Sequence, residues 1–129
     1  DFVSAHRYPS PAKPRVTDAR AQGCSEYGGL GLIEPDHIWS KKKFVYRMMD
    51  SRDALTAEYL RLLGKLRPLI EKGLCQAVYT QITDVEIEMN GLLTYDRAIE
   101  KLDVEKITQA HGELLAFAQQ VTTLQDLPD

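Results

Sequence analysis

Two cysteines, a single tryptophan, no long apolar run and no surplus of positive charge define this 129-residue chain by what it lacks. Cys24 and Cys75 have no Cys-x-x-Cys partner, so neither a disulfide framework nor a zinc site can be read from their spacing. Both are expected to be free, buried thiols. No apolar stretch approaches the roughly 20 residues of a membrane-spanning helix. Basic residues number 16 against 19 acidic ones, a net charge of −3, and the basic stripe of a nucleic-acid binder is missing. Membrane and nucleic acid are therefore not expected partners. What remains is 43% hydrophobic and 27% charged, enough for one folded domain with a real core.

The chemistry is expected in Gln22-Gly23-Cys24-Ser25-Glu26-Tyr27-Gly28-Gly29. A run of small residues ends in a carboxylate, an aromatic ring and two glycines. It reads as a strand that delivers Glu26 to its C-terminal end, then a turn only glycine makes without strain. A carboxylate there is a candidate nucleophile, general base or metal ligand.

The chain opens on Asp1-Phe2-Val3-Ser4-Ala5, read as a buried strand over about 2–6, and so looks like a piece of something longer. Pro9, Pro11 and Pro14 force an extended loop, and 16–21 is a polar connection. A second strand is expected over 22–26. A long loop then runs from Gly28 to about Asp50, with part of Ile38–Tyr46 helical. The clearest helix spans about 52–72, where Leu55, Tyr59, Leu62, Leu63, Leu66 and Ile70 recur at three- and four-residue steps. Asp50 or Ser51 caps its start, Pro68 kinks it or divides it near Arg67, and Gly73 closes it. A third strand is expected over 75–80, a second long loop over 81–102, and a final helix over 104–121, capped by Asp103, with Ile107, Ala110, Leu114, Phe117 and Val121 inward. Strands alternating with helices imply an α/β fold with a parallel sheet. Both long loops follow strands, so they share with Glu26 the carboxyl edge where such sheets bind ligands. Three strands are too few to close a barrel, and unpaired outer strands favour self-association.

Four blocks then stand in order: His6-Arg7-Tyr8-Pro9, Ser25-Glu26-Tyr27-Gly28-Gly29-Leu30-Gly31, Tyr79-Thr80-Gln81-Ile82-Thr83-Asp84-Val85-Glu86, and Glu88-Met89-Asn90-Gly91-Leu92-Leu93-Thr94-Tyr95-Asp96-Arg97. Over roughly residues 2 to 110 the chain resembles the C-terminal part of the catalytic (β/α)8 TIM barrel of glycoside hydrolase family 2, the family of β-galactosidases, β-glucuronidases and β-mannosidases. The resemblance implies strands six to eight of that barrel, a carbohydrate substrate, no cofactor, and Glu26 as the nucleophile of a retaining hydrolase. The acid/base glutamate of the family usually follows an Asn after strand four. No Asn-Glu pair occurs here, so the isolated chain is expected to be inactive without the N-terminal part of the barrel.

Other residues carry paired expectations. His6 either hydrogen-bonds a sugar hydroxyl or serves structure, Tyr8 packs, and Tyr27 either contacts nucleophile or sugar or packs beneath the loop. Tyr79 and Gln81 end the third strand, where several family members place a Trp, and either line the sugar site or do not. Trp39 lines an outer subsite or packs on the helix near Tyr59. Asp84, Glu86 and Glu88 alternate and would share one face of an extended segment, as a cation site or, as preferred, a solvated or Arg97-paired face. The leading function is part of a β-galactosidase-like retaining glycosidase. The alternative is a non-catalytic binding or assembly module derived from such a barrel. A carbohydrate-binding module is disfavoured, since those are usually β-sandwiches.

Overall fold

A computed structural model describes residues 1–15 and 19–125. Part of the polar connection expected over 16–21 lies outside them. The elements run β1 (Phe2–His6), β2 (Ala21–Gly28), β3 (Leu30–Gly31), β4 (Arg47–Met48), α1 (Arg52–Gly64), α2 (Arg67–Ile70), β5 (Leu74–Thr80) and α3 (Val104–Gln125). The fold is α/β: β1, β2 and β5 form a parallel sheet in the order β1-β2-β5, and helices cover one face. β2 is central. Each outer strand pairs with it on one side, and among the described residues nothing pairs with the other side.

The core lies between sheet and helices. Leu55, Tyr59, Leu62 and Leu63 of α1 meet Cys24 and Tyr27 of β2, Leu74 of β5 and Leu114 of α3. Leu55 and Leu62 are wholly buried, so truncating either to Ala costs about 2–5 kcal/mol. Ser51 Oγ accepts from the Ala54 amide at 3.1 Å, which starts α1. The expected helix is divided as Pro68 requires: α1 ends at Gly64, and Pro68 falls in the first turn of α2. Gly73 follows with φ +90°, the left-handed turn that releases the chain into β5. Asp103 Oδ1 accepts from the Lys106 amide at 3.2 Å and caps α3. Of the residues expected inward on α3, Ile107, Ala110, Leu114 and Phe117 pack on the core, while Val121 lies on the wall of an open cavity.

Four expectations are corrected. β1 is not buried. Phe2, Ser4 and His6 are exposed and only Val3 and Ala5 are half-covered, because one face of the strand has no layer over it. No helix forms within 38–46. There the chain returns alongside the β2 turn, so that β4 pairs in parallel with β3. Cys75 is exposed on the outer strand, and only Cys24 is a buried thiol. α3 continues past residue 121 to Gln125.

Candidate functional site

A bulge in β2 decides which residues face solvent. Ala5 pairs with Cys24, but His6 pairs with Glu26, and on the other side the register slips between Cys24 and Tyr27. In a regular strand successive side chains alternate, so Cys24 and Glu26 would share a face and Tyr27 would oppose them. The extra residue breaks that alternation, as bulges do beside functional sites. Cys24 and Tyr27 both enter the core, while the Glu26 side chain stays 43% exposed.

The Glu26 carboxylate stands at the carboxyl edge of the sheet. The Tyr8 hydroxyl donates to its Oε2 at 2.7 Å, and Thr80 Oγ1 lies 2.9 Å from the same hydroxyl. Tyr8 has one proton to give, so Thr80 donates to Tyr8 and Tyr8 to Glu26. His6 Nδ1 is 3.6 Å from Oε2, too far for a direct hydrogen bond. All three strands thus end on one carboxylate, β2 bringing Glu26, β1 His6 with Tyr8 just beyond it, and β5 Thr80. Backbone bonds lock this edge: the Arg7 amide to Glu26 O at 3.1 Å, Gly28 to Pro9 O at 2.9 Å and Gly29 to Thr80 O at 2.8 Å. The bonds Tyr8–Pro9 and Thr80–Gln81 are cis. Burial pushes the Tyr8 phenol up, and its bond to Glu26 and that residue's charge add to the rise against the opposing Thr80 bond. Tyr8 therefore remains a donor well above neutral pH.

The two glycines after Tyr27 make this packing feasible. Gly28 and Gly29 have φ of +100° and +64°. A β-carbon on Gly28 would overlap the Tyr79 ring, and one on Gly29 the Tyr46 ring. Tyr46 stacks flat on Tyr8, centroids 3.7 Å apart and planes 1° from parallel, and Phe44 meets Tyr46 edge-on at 5.1 Å. Both Phe44 and Tyr46 are exposed. An aromatic wall therefore rises beside Glu26 from the loop after β2.

The remaining candidates separate. Tyr27 is in the core, edge-on to Tyr79 at 5.5 Å, so of its two expected roles it packs. Tyr79 lies beneath Gly28 and against Tyr59, centroids 4.7 Å apart, rather than forming an open floor. Gln81 Nε2 donates to Asn90 Oδ1 at 2.6 Å and to Glu88 Oε2 at 3.2 Å, which ties β5 to the following loop. Trp39 is 65% exposed and sits edge-on to Tyr95. It does not pack near Tyr59, because the loop carries it over residues 94–96, where His37 Nδ1 meets Asp96 Oδ2 at 2.7 Å.

Asp84, Glu86 and Glu88 do not share a face. A tight turn closes between Val85 and Glu88, with Glu86 at its tip in the left-handed region, φ 52°. Asp84 turns inward instead. Its Oδ1 accepts from Lys101 Nζ and from the Gly91 amide, each at 2.7 Å, and both charged side chains are buried. Arg97 is not the partner. Lys101 Nζ also donates to Leu32 O at 2.9 Å and Met89 O at 3.0 Å, which uses all three of its protons. Burial pushes the Asp84 carboxyl up and the Lys101 ammonium down, against their mutual attraction. Removing one partner would leave the other charge uncompensated, at about 3–5 kcal/mol. Among the described residues no cluster of three His, Cys, Asp or Glu side chains could hold a metal ion.

Tyr8, expected only to pack, donates to the carboxylate, and Thr80, Tyr46, Phe44 and Lys101 have contacts here to which no local sequence signal points. The adjacency of Tyr8 to His6 at a strand end was a usable signal. Nothing in the sequence brings Tyr46 back to Tyr8. A cavity of about 450 Å³ opens on the helix side, lined by Leu66, Ile70, Leu74, Ala77, Leu114 and Val121. Cys75, Gln76, His111 and Thr122 also line it, and His111 Nε2 meets the Tyr59 hydroxyl at 2.7 Å. No helix among the described residues is long and apolar enough to cross a membrane. The chain matches no protein-family model, and a search of curated proteins found no match.

Proposed function

We propose that this chain is the nucleophile-bearing part of a retaining β-glycosidase, corresponding to strands six to eight of a (β/α)8 barrel, with β-galactosides the favoured substrates. The observation that carries the reading is the bulge at Ser25–Glu26. It turns a carboxylate out of the core at the end of the central parallel strand, where Tyr8 holds Oε2. Held by one oxygen, the carboxylate presents the other, Oε1, to an anomeric carbon. Attack forms the C1–Oε1 bond as the glycosidic C1–O bond breaks and the leaving oxygen departs with its electron pair. Water then hydrolyses the glycosyl ester. A second carboxyl about 5–5.5 Å from the first must protonate the leaving oxygen and activate that water. The family resemblance assigns this group to an upstream strand. His6 and the Tyr46–Phe44 wall flank the sugar, and Trp39 with Tyr95 extends the site outward.

A non-catalytic module is the second reading, favoured for the chain by itself because the sequence lacks the Asn-Glu pair.

The test uses a substrate that needs no acid: a 2-deoxy-2-fluoro-β-galactoside with a dinitrophenolate leaving group. The expected result is slow, stoichiometric labelling, mapped by peptide mass to Glu26 and absent from Glu26→Gln. Equal labelling of both proteins would remove Glu26 from the mechanism.

A further inference from the structure

Lys101 lies in the second loop, far along the chain from Glu26, yet two bonded routes lead from it to that carboxylate. In the first, Lys101 Nζ holds Met89 O at 3.0 Å, and the Met89 amide holds Phe44 O at 3.0 Å. Phe44 meets Tyr46, whose ring stacks on Tyr8. In the second, the Lys101 amide holds Leu92 O at 2.9 Å and the Leu92 amide holds Gln81 O at 3.0 Å, next to Thr80 and its contact with Tyr8. Both routes end on the hydroxyl that grips Glu26. Lys101 Nζ also anchors Leu32 O, directly after β3, so one buried ammonium ties together the loops after β3 and β5.

We propose that Lys101, paired with Asp84, is a positioning residue for Glu26, acting through the Tyr46–Tyr8 stack. Two features favour this over a merely structural lysine. The three acceptors of the ammonium come from two loops, residue 32 in one and residues 84 and 89, on either side of the Val85–Glu88 turn, in the other. Both loops hold the aromatic wall directly: Gly29 O, before β3, accepts from the Tyr46 amide at 3.2 Å, and Ile87 O accepts from the Phe44 amide at 2.6 Å. A neutral residue of the same length fills the space but leaves Leu32 O and Met89 O without their donor, so the two loops lose their common anchor. The inference rests on the reading of Glu26 as nucleophile. The geometry it concerns can be measured without any hydrolysis, so failure of the one is separable from failure of the other.

The experiment is NMR of the full chain with ring-labelled tyrosine. Stacked at 3.7 Å, Tyr8 and Tyr46 shift each other's ring protons upfield. Lys101→Met combined with Asp84→Asn removes both charges and keeps an acceptor for the Gly91 amide. In that variant the upfield shifts should fall by at least half. Leu62→Ala, a core variant that keeps the Lys101–Asp84 pair, should retain them. Shifts that persist in the folded double variant, or that collapse equally in Leu62→Ala, overturn the proposal. Hydrogen exchange of the unaltered chain in mild denaturant gives a second reading that needs no variant. The Phe44, Tyr46 and Met89 amides should open together with the Lys101 amide. Opening of the first three while Lys101 stays protected overturns the proposal equally.

Discussion

The Tyr8 hydroxyl and Glu26 Oε2 meet at 2.7 Å, although Tyr8 follows β1 and Glu26 lies on β2, and the contact exists because β2 is bulged where it pairs with β1. Tyr8→Phe keeps the ring stacked on Tyr46 and removes only the donor. The site is half-open, so water replaces part of the lost bond. The expected cost is about 1 kcal/mol in urea unfolding. A neutral result would mean that the bond holds nothing in place.

Glycine substitutions separate strain from space. Gly28→Ala and Gly29→Ala each force a side chain into a left-handed backbone and into an aromatic ring. Each should cost about 2–4 kcal/mol, combining backbone strain and overpacking. Gly112 sits within α3, and nothing lies near the position of an added β-carbon. Gly112→Ala should stabilise the chain by about 0.5–1 kcal/mol. Thermal or urea melts of the three variants check both signs.

Acid should loosen the loop carrying Trp39. Hydrogen bonds from Thr94 and His37 hold the Asp96 carboxyl down at about 2. In an unfolded chain an aspartate titrates near 3.9. The folded value is the lower, so the contact contributes above about pH 4 and is lost as pH falls toward 2. The Ala98 amide, which donates to Asp96 Oδ1 at 3.2 Å, should report the transition in an NMR titration. Asp96→Asn should abolish it, and an unchanged titration in that variant would assign the effect elsewhere.

The purified chain should turn over no chromogenic β-glycoside at the level of an intact enzyme. It should also self-associate through the unpaired sides of β1 and β5, which expose backbone donors and acceptors. A stable monomer by light scattering would count against the second expectation, and efficient turnover against the first.

Much of the architecture was legible because it rests on periodicity and on local caps. The leucine stripe of α1, the division at Pro68, the inner face of α3 and the parallel alternation of strands and helices all appear as read. The candidate site was legible at Glu26, since a carboxylate before two glycines demands a turn. The errors came where contacts are long-range. Alternation alone cannot reveal a bulge, and the bulge is what sends Tyr27 inward. Three alternating carboxylates looked alike, yet burial against Lys101 selected Asp84. Trp39 had no local cue to its partner Tyr95.

From the sequence alone, the two long helices, the three strands of the main sheet and the position of Glu26 near a strand end were determined, because hydrophobic period, proline and glycine act over a few residues. The tertiary structure decided which way Glu26 faces, which phenol holds it and what wall stands beside it. Those depend on register between strands distant in the chain, and on a buried ammonium that finds its three acceptors only once the loops have met.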